Sequence, residues 1–158
     1  MIETPVVERE SSAAPVSAGG PPRFFALHET SGGALLAGTC GRGIARAGVD
    51  AAWVVVPTDL AGANVNAFAS DVDGAMLAAA GRAGVLRSLD DGVTWERLGP
   101  DGVDVLAVLE REGTLVAGTD TGIVARRDRE WVPAVDGPSG TVFRLVTAGD
   151  VVFAATEH

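Results

Sequence analysis

The stretch Leu36-Ala37-Gly38-Thr39 decides the fold, because the chain returns to it three times. It comes back as Leu77-Ala78-Ala79-Ala80, Val116-Ala117-Gly118-Thr119 and Phe153-Ala154-Ala155-Thr156, at steps of 41, 39 and 37 residues. Working outward, three of these markers are followed by a glycine and a short apolar segment: Gly43-Ile44-Ala45-Arg46, Gly84-Val85-Leu86-Arg87 and Gly122-Ile123-Val124-Ala125-Arg126. A tryptophan closes each of those three units, at Trp53, Trp95 and Trp131. Upstream of each marker lies another apolar segment: Phe24-Phe25-Ala26-Leu27, Val65-Asn66-Ala67-Phe68, Val103-Asp104-Val105-Leu106 and Val142-Phe143-Arg144-Leu145. Three independent features keeping one register make an internal repeat, and a repeat outranks any single-residue argument.

Each unit holds four short apolar segments separated by Gly-, Asp- and Asn-bearing breaks. Asp73-Gly74, Asp91-Gly92 and Glu112-Gly113 suit tight hairpins, because glycine takes positive φ without a Cβ clash. Apolar residues run in blocks or alternate, and glycine interrupts any 3.6-residue pattern, so the expectation is all-β with no helix. Four antiparallel strands repeating every ~40 residues match one blade of a β-propeller. The Ala- and Gly-rich markers fit, since small side chains let neighbouring blades approach near the axis. The expected blades cover residues 23–57, 64–99 and 102–136, with a half-blade at 141–158.

Residues 1–22 differ from the rest. They carry Pro5, Pro15, Pro21 and Pro22, three serines and Gly19-Gly20, with no apolar periodicity. Such a segment cannot bury enough surface to offset its ordering entropy, so an extended tail or docking segment is expected. Glu3, Glu8 and Glu10 stand where a secretory leader has a basic start, and no apolar run follows. With a lone cysteine, Cys40, this points to a cytoplasmic chain without a disulfide framework. No stretch approaches the ~20 apolar residues of a membrane-spanning helix.

The charge balance excludes several chemistries. All 12 basic residues are arginine against 21 Asp and Glu, a net charge of −9. The absence of lysine removes Schiff-base and P-loop chemistry. The acidic surface argues against nucleic acid or anionic lipid as the main partner. Two histidines and one cysteine leave little for a zinc site, and no cofactor or metal is expected. Asp71-Val72-Asp73-Gly74 loosely follows a calcium loop but lacks the closing glutamate, so a hairpin turn is the better reading.

Within the second unit the chain reads Ser88-Leu89-Asp90-Asp91-Gly92-Val93-Thr94-Trp95. This resembles the Asp-box, or BNR, repeat of sialidase-like propellers, matching Ser88, Asp90, Gly92, Thr94 and Trp95 at all five fixed positions. The chain is also similar to the photosystem assembly and stability factor propellers. The resemblance implies a structural hairpin between the third and fourth strands of a blade, on its periphery. The equivalent stretches 47–53 and 126–131 keep the tryptophan and lose the rest. Sialidase-type catalysis would need a tyrosine nucleophile, and the chain has no tyrosine. Phe143-Arg144-Leu145-Val146 only faintly echoes the Phe-Arg-Ile-Pro motif of that family. Arg144 is expected either beside an acidic partner on an inner strand or pointing into the central channel. No catalytic residue is expected, and the chain reads as a non-enzyme.

Loops after the second strand of each unit, with the linkers between units, should form one face of a propeller. Arg42, Arg82 and Asp59 lie in these segments and are the candidate binding residues; Asp120 fills the equivalent place in the third unit. Cys40, in the first of these loops, is expected as a partly buried thiol.

Blade four offers only residues 142–146 and 151–156 before the sequence stops, which reads as a fragment of a longer array. Three and a half blades do not readily close a ring, and the ends would leave apolar faces and an unpaired edge. Residues 151–156 are therefore expected to pair with a strand from a second copy, a partner subunit or a continuation of the chain. The expected role is a scaffold subunit of a larger assembly, for instance a phage-tail-like particle. The alternative is a fragment of a secreted glycan-binding or glycosidase-like propeller.

Overall fold

The computed structural model describes residues 23–48, 53–56, 60 and 62–157. The expected tail at 1–22 and Asp59 lie outside the described residues. The described chain is all-β. The first sheet contains β1 (Phe24–Glu29), β2 (Leu35–Thr39), β3 (Ile44–Ala47) and β4 (Trp53–Val55). The second contains β5 (Ala67–Ser70), β6 (Met76–Ala79), β7 (Val85–Ser88) and β8 (Glu96–Gly99). The third contains β9 (Val105–Arg111), β10 (Thr114–Thr119), β11 (Gly122–Arg127) and β12 (Glu130–Pro133). The last is the two-stranded pair β13 (Val142–Ala148) and β14 (Val151–Thr156). Every pairing is antiparallel between sequence neighbours, so each sheet is a simple meander.

Strands β5 and β9 start at Ala67 and Val105, two residues later than the apolar segments beginning at Val65 and Val103. The reason for Val65 is a bond across sheets: its N–H donates to the carbonyl of Thr39 in the first sheet, 3.0 Å away. The entry residue of a sheet is thus spent on joining its predecessor. Val105 does likewise, exchanging two backbone bonds with Gly81 of the second sheet at 3.0 and 3.1 Å.

Successive sheets stack face to face, with the first strands β1, β5, β9 and β13 side by side in chain order. Three apolar cores fill the gaps. Leu36 and Ile44 of the first sheet meet Met76, Ala78 and Leu86 of the second. Leu77, Ala79 and Val85, from the opposite face of that second sheet, meet Val105, Val108 and Ala117 of the third. Ala107 and Leu109 meet Val142 and Leu145 of the last pair. The middle sheets are buried on both faces, which is why the sequence shows apolar blocks instead of clean alternation. Each fully buried Leu, Ile or Met in these gaps contributes about 1.5–3 kcal/mol.

Small residues set the spacing. A Cβ added to Gly118 would lie 2.7 Å from Val142 Cγ1 and 3.0 Å from the Val142 carbonyl oxygen. Gly38 meets Val65 in the same way, with Val65 Cγ1 at 2.9 Å from such an atom. The glycines of the repeated marker are therefore there for close approach of the next sheet.

Candidate functional site

The turns between β2 and β3, β6 and β7, and β10 and β11 lie at the end of the sheets where the inter-sheet linkers run. Gly41 N–H donates to Asn64 Oδ1 at 2.9 Å, and Asp104 N–H donates to Asp120 Oδ1 at 3.0 Å. Arg42 is half-buried in the first turn, its N–H donating to Thr39 Oγ1 at 3.1 Å. Arg82 is exposed in the equivalent turn of the second sheet. Both arginines therefore belong to one rim, on different sheets. Cys40 on this rim is exposed, not partly buried. Its backbone N–H turns inward to the carbonyl of Arg23 at 2.9 Å.

The opposite rim carries the hairpin tips. The tip at 88–95 joins β7 to β8 and is held by an internal network. Thr94 N–H and Oγ1–H donate to Asp90 at 2.8 and 2.6 Å, and Ser88 Oγ–H donates to Asp90 Oδ1 at 2.8 Å. Gly92 N–H donates to Ser88 Oγ at 2.9 Å, and Trp95 Nε1–H donates to the Gly92 carbonyl at 3.1 Å. The Thr94 bonds, ahead of the Ser88 bond, pull the Asp90 carboxyl down to a pKa of about 2, although the side chain is exposed. Asp91 and Gly92 both take positive φ, 58° and 81°. The hairpin also reaches the first sheet. A Cβ on Gly92 would stand 2.7 Å from Leu36 Cδ2, and Arg46 Nε donates to the Asp91 carbonyl at 3.0 Å.

Asp71 organises the tip between β5 and β6. Its Oδ1 accepts from Asp73 and Ala75 N–H at 3.0 and 2.8 Å, and its Oδ2 pairs with Arg87 at 2.7 Å. One oxygen thus closes the turn and the other ties it to β7.

The third feature is the groove at the axis. The four first strands enclose a cavity of about 340 Å³ whose walls include Phe25, Phe68, Val108, Phe143 and Arg144. Bulges between Phe24 and Ala26 and between Val142 and Arg144 place Phe25 and Phe143 there. Asn66 Nδ2 is tied to the Val105 carbonyl at 3.0 Å. Arg144 lies opposite Ala155, on the face of the last pair that also carries Val146 and Phe153, and has no acidic partner among the described residues. Nothing in the sequence marked Phe25 and Phe143 as axial, because a bulge is invisible to a period-2 reading.

The two ends of the stack are apolar and open. On the first sheet Phe24, Leu27, Leu35, Trp53 and Val55 are exposed, Leu27 at 68% and Trp53 at 43%. The register puts Leu27 opposite Ala37 and Val55 opposite Ala45, so they share one face. On the last pair Val146 lies opposite Phe153 and Ala148 opposite Val151; Val146, Val151 and Phe153 are each about half exposed.

No family model and no curated protein matches the chain. Solved structures do. The extracellular domain of the one-component system BT4673 from B. thetaiotaomicron aligns with a TM-score of 0.71 at 12% identity over 84% of this chain. This chain spans only 20% of that domain's length. The β-propeller domain of Cps50 (Swd1) from Myceliophteria thermophila aligns with a TM-score of 0.56 at 15% identity, over 78% of this chain and 46% of its own. A chain of the mitotic checkpoint complex aligns with a TM-score of 0.59 at 15% identity, over 90% of this chain and 50% of its own. At such identities the likeness carries the fold and nothing finer. Among the described residues the chain is a β-propeller segment, three four-stranded blades followed by one two-stranded blade.

Proposed function

We propose that this chain is a non-enzymatic propeller module that assembles with protein partners through its two open blade faces. The carrying observation is the pair of exposed apolar faces, one around Leu27 and Trp53, the other around Val146 and Phe153. Equivalent faces elsewhere in the chain are covered. Trp95 packs in the core between blades one and two and Trp131 in the core between blades two and three, whereas Trp53 touches Phe24 on an open face. Contiguous exposed apolar patches of this kind mark interaction surfaces. A propeller in a multi-protein complex, the mitotic checkpoint complex, is among the structures similar in fold.

The hairpin at 88–95 fits the role of an Asp-box, on the five matched positions and the bonds converging on Asp90 and Ser88. In this reading its job is structural, tying blade two to blade one. Arg42 and Arg82 offer a second, polar contact on the linker rim. The residues lining the axial groove include one arginine and no carboxylate, an arrangement unlike the cluster of arginines and carboxylates that glycosidic chemistry on an acidic sugar needs.

The test is the size of the native assembly recovered on the tagged full chain, compared with a Leu27→Ser/Phe153→Ser double variant. Loss of the larger species with folding retained supports the reading. An assembly of unchanged size refutes it.

A further inference from the structure

Each internal blade junction is built on one pattern. The first residue of the repeated marker, Leu36, Leu77 or Val116, faces the next blade and shares a core with four residues at fixed places there. Leu36 has Val65, Phe68, Met76 and Ala78. Leu77 has Val105, Val108, Leu115 and Ala117. Val116 has Val142, Leu145, Val152 and Ala154. Register assigns the same places at the two open ends. Phe153 is the projecting residue of blade four, exposed on the face it shares with Val146. Phe24, Leu27, Leu35 and Ala37 are the receiving residues of blade one, and the first three are exposed. One end therefore has a projecting residue without its receiving set, and the other has the receiving set without its projecting residue.

We infer that a second copy of this chain fills both gaps, blade four of each copy packing on blade one of the other, so that two chains close one ring. This rests on the blade-face reading above and names the occupant of those faces. The two faces are unlike, so the contact is head-to-tail, and contacts of that kind close into a ring or grow without end. Two copies supply eight sheets, within the range of about four to eight blades typical of propellers. One chain spans 46% of the Cps50 (Swd1) propeller domain, close to half of such a ring. Blade four has two strands, so it covers Phe24, Leu27 and Leu35 on β1 and β2 and leaves Trp53 on β4 outside the match. Arg144, on the axial strand of the blade-four face, borders the axial groove, so its charged end keeps access to water when that face is covered.

The experiment is disulfide trapping on the purified full chain, with Cys40→Ser in every variant to remove the native thiol. The marker glycines show where blades touch. A Cβ built on Gly118 lies 3.1 Å from Val142 Cβ, and the equivalent pair at the inferred junction is Ala155 and Phe24. The real Cβ of Ala155 sets that pair slightly farther apart, near the ~3.8 Å of a disulfide. Both residues are exposed in the single chain, so cysteines there leave its core untouched. After mild oxidation, Phe24→Cys/Ala155→Cys should run at twice the 16.0 kDa of one chain, and each single variant at 16.0 kDa. Mixing the two single variants before oxidation should restore the doubled band. A ladder of larger species, an internally cross-linked single chain or a cross-linked single variant would each overturn the inference. Light scattering of the parent separates it from the blade-face reading. A mass above one chain with no cross-link between positions 24 and 155 overturns the ring alone. A mass of one chain at every concentration overturns both.

Discussion

The indole nitrogen of Trp131 donates to the carbonyl of Leu98 at 2.7 Å, joining the outermost strand of blade three to the outermost strand of blade two. The corresponding tryptophan of blade two, Trp95, donates within its own hairpin instead. One repeated residue type thus serves two different bonds, and of these two tryptophans it is Trp131 that uses its nitrogen between blades. Trp131→Phe keeps the ring and removes the bond. It should lower stability by about 1–2 kcal/mol, read from urea unfolding, since a half-buried carbonyl loses its partner. A change within error would show that packing alone holds the two outer strands.

Blade spacing gives a steric prediction. Gly118→Ala should destabilise by about 1–3 kcal/mol, because the new methyl would overlap Val142 Cγ1. Gly118 does not have positive φ, so the cost is contact and not backbone strain. Gly41→Ala is the converse case: open space around the Cβ but φ of 72°, costing about 1 kcal/mol from conformation alone. Comparing m-values separates the two, since Gly118→Ala should also loosen the β13–β14 pair and shrink the surface exposed on unfolding.

The Asp90 network predicts an acid-side titration. Its folded pKa, about 2, lies below the ordinary aspartate value of 3.8. A carboxylate with a depressed folded pKa stabilises above its unfolded pKa, and that contribution is lost as pH falls. Stability should therefore drop between about pH 4 and pH 2, and Asp90→Asn should flatten this part of the curve. Asp90 is exposed, so Asp90→Ala at neutral pH should cost only about 1 kcal/mol. A steep acid transition unchanged in Asp90→Asn would assign it to other carboxylates.

His28 predicts a second, milder titration. Its ring packs on Phe68 of blade two with centroids 6.3 Å apart, and desolvation lowers its pKa below 6.5. A base with a depressed folded pKa favours the neutral form in the fold, so stability is fullest above about pH 6.5 and declines as the ring is forced to protonate. His28→Phe should remove that decline. The check is thermal unfolding of both proteins from pH 7.5 to pH 5.

How far the fold was legible follows from particular residues. The marker around Ala37, Ala78, Ala117 and Ala154 exposed the repeat because each blade must use small residues at the same place against its neighbour. The five-position match at 88–95 exposed a hairpin because its bonds are local in sequence. The contacts that join blades were not legible. Arg46 to Asp91, Val72 N–H to Glu110 and Trp131 to Leu98 link residues 33 to 45 positions apart, and their partners differ from blade to blade. The axial groove was missed for a related reason. Phe25 and Phe143 enter it through bulges, which a period-2 reading does not show.

Association through the open blade faces is tested most directly by the molar mass of the purified chain. Light scattering across a concentration series should give a mass above the 16.0 kDa of one chain, rising with concentration. The Leu27→Ser/Phe153→Ser variant should return to a single chain. A wild-type protein that stays at 16.0 kDa throughout the series, folded and soluble, would contradict the account.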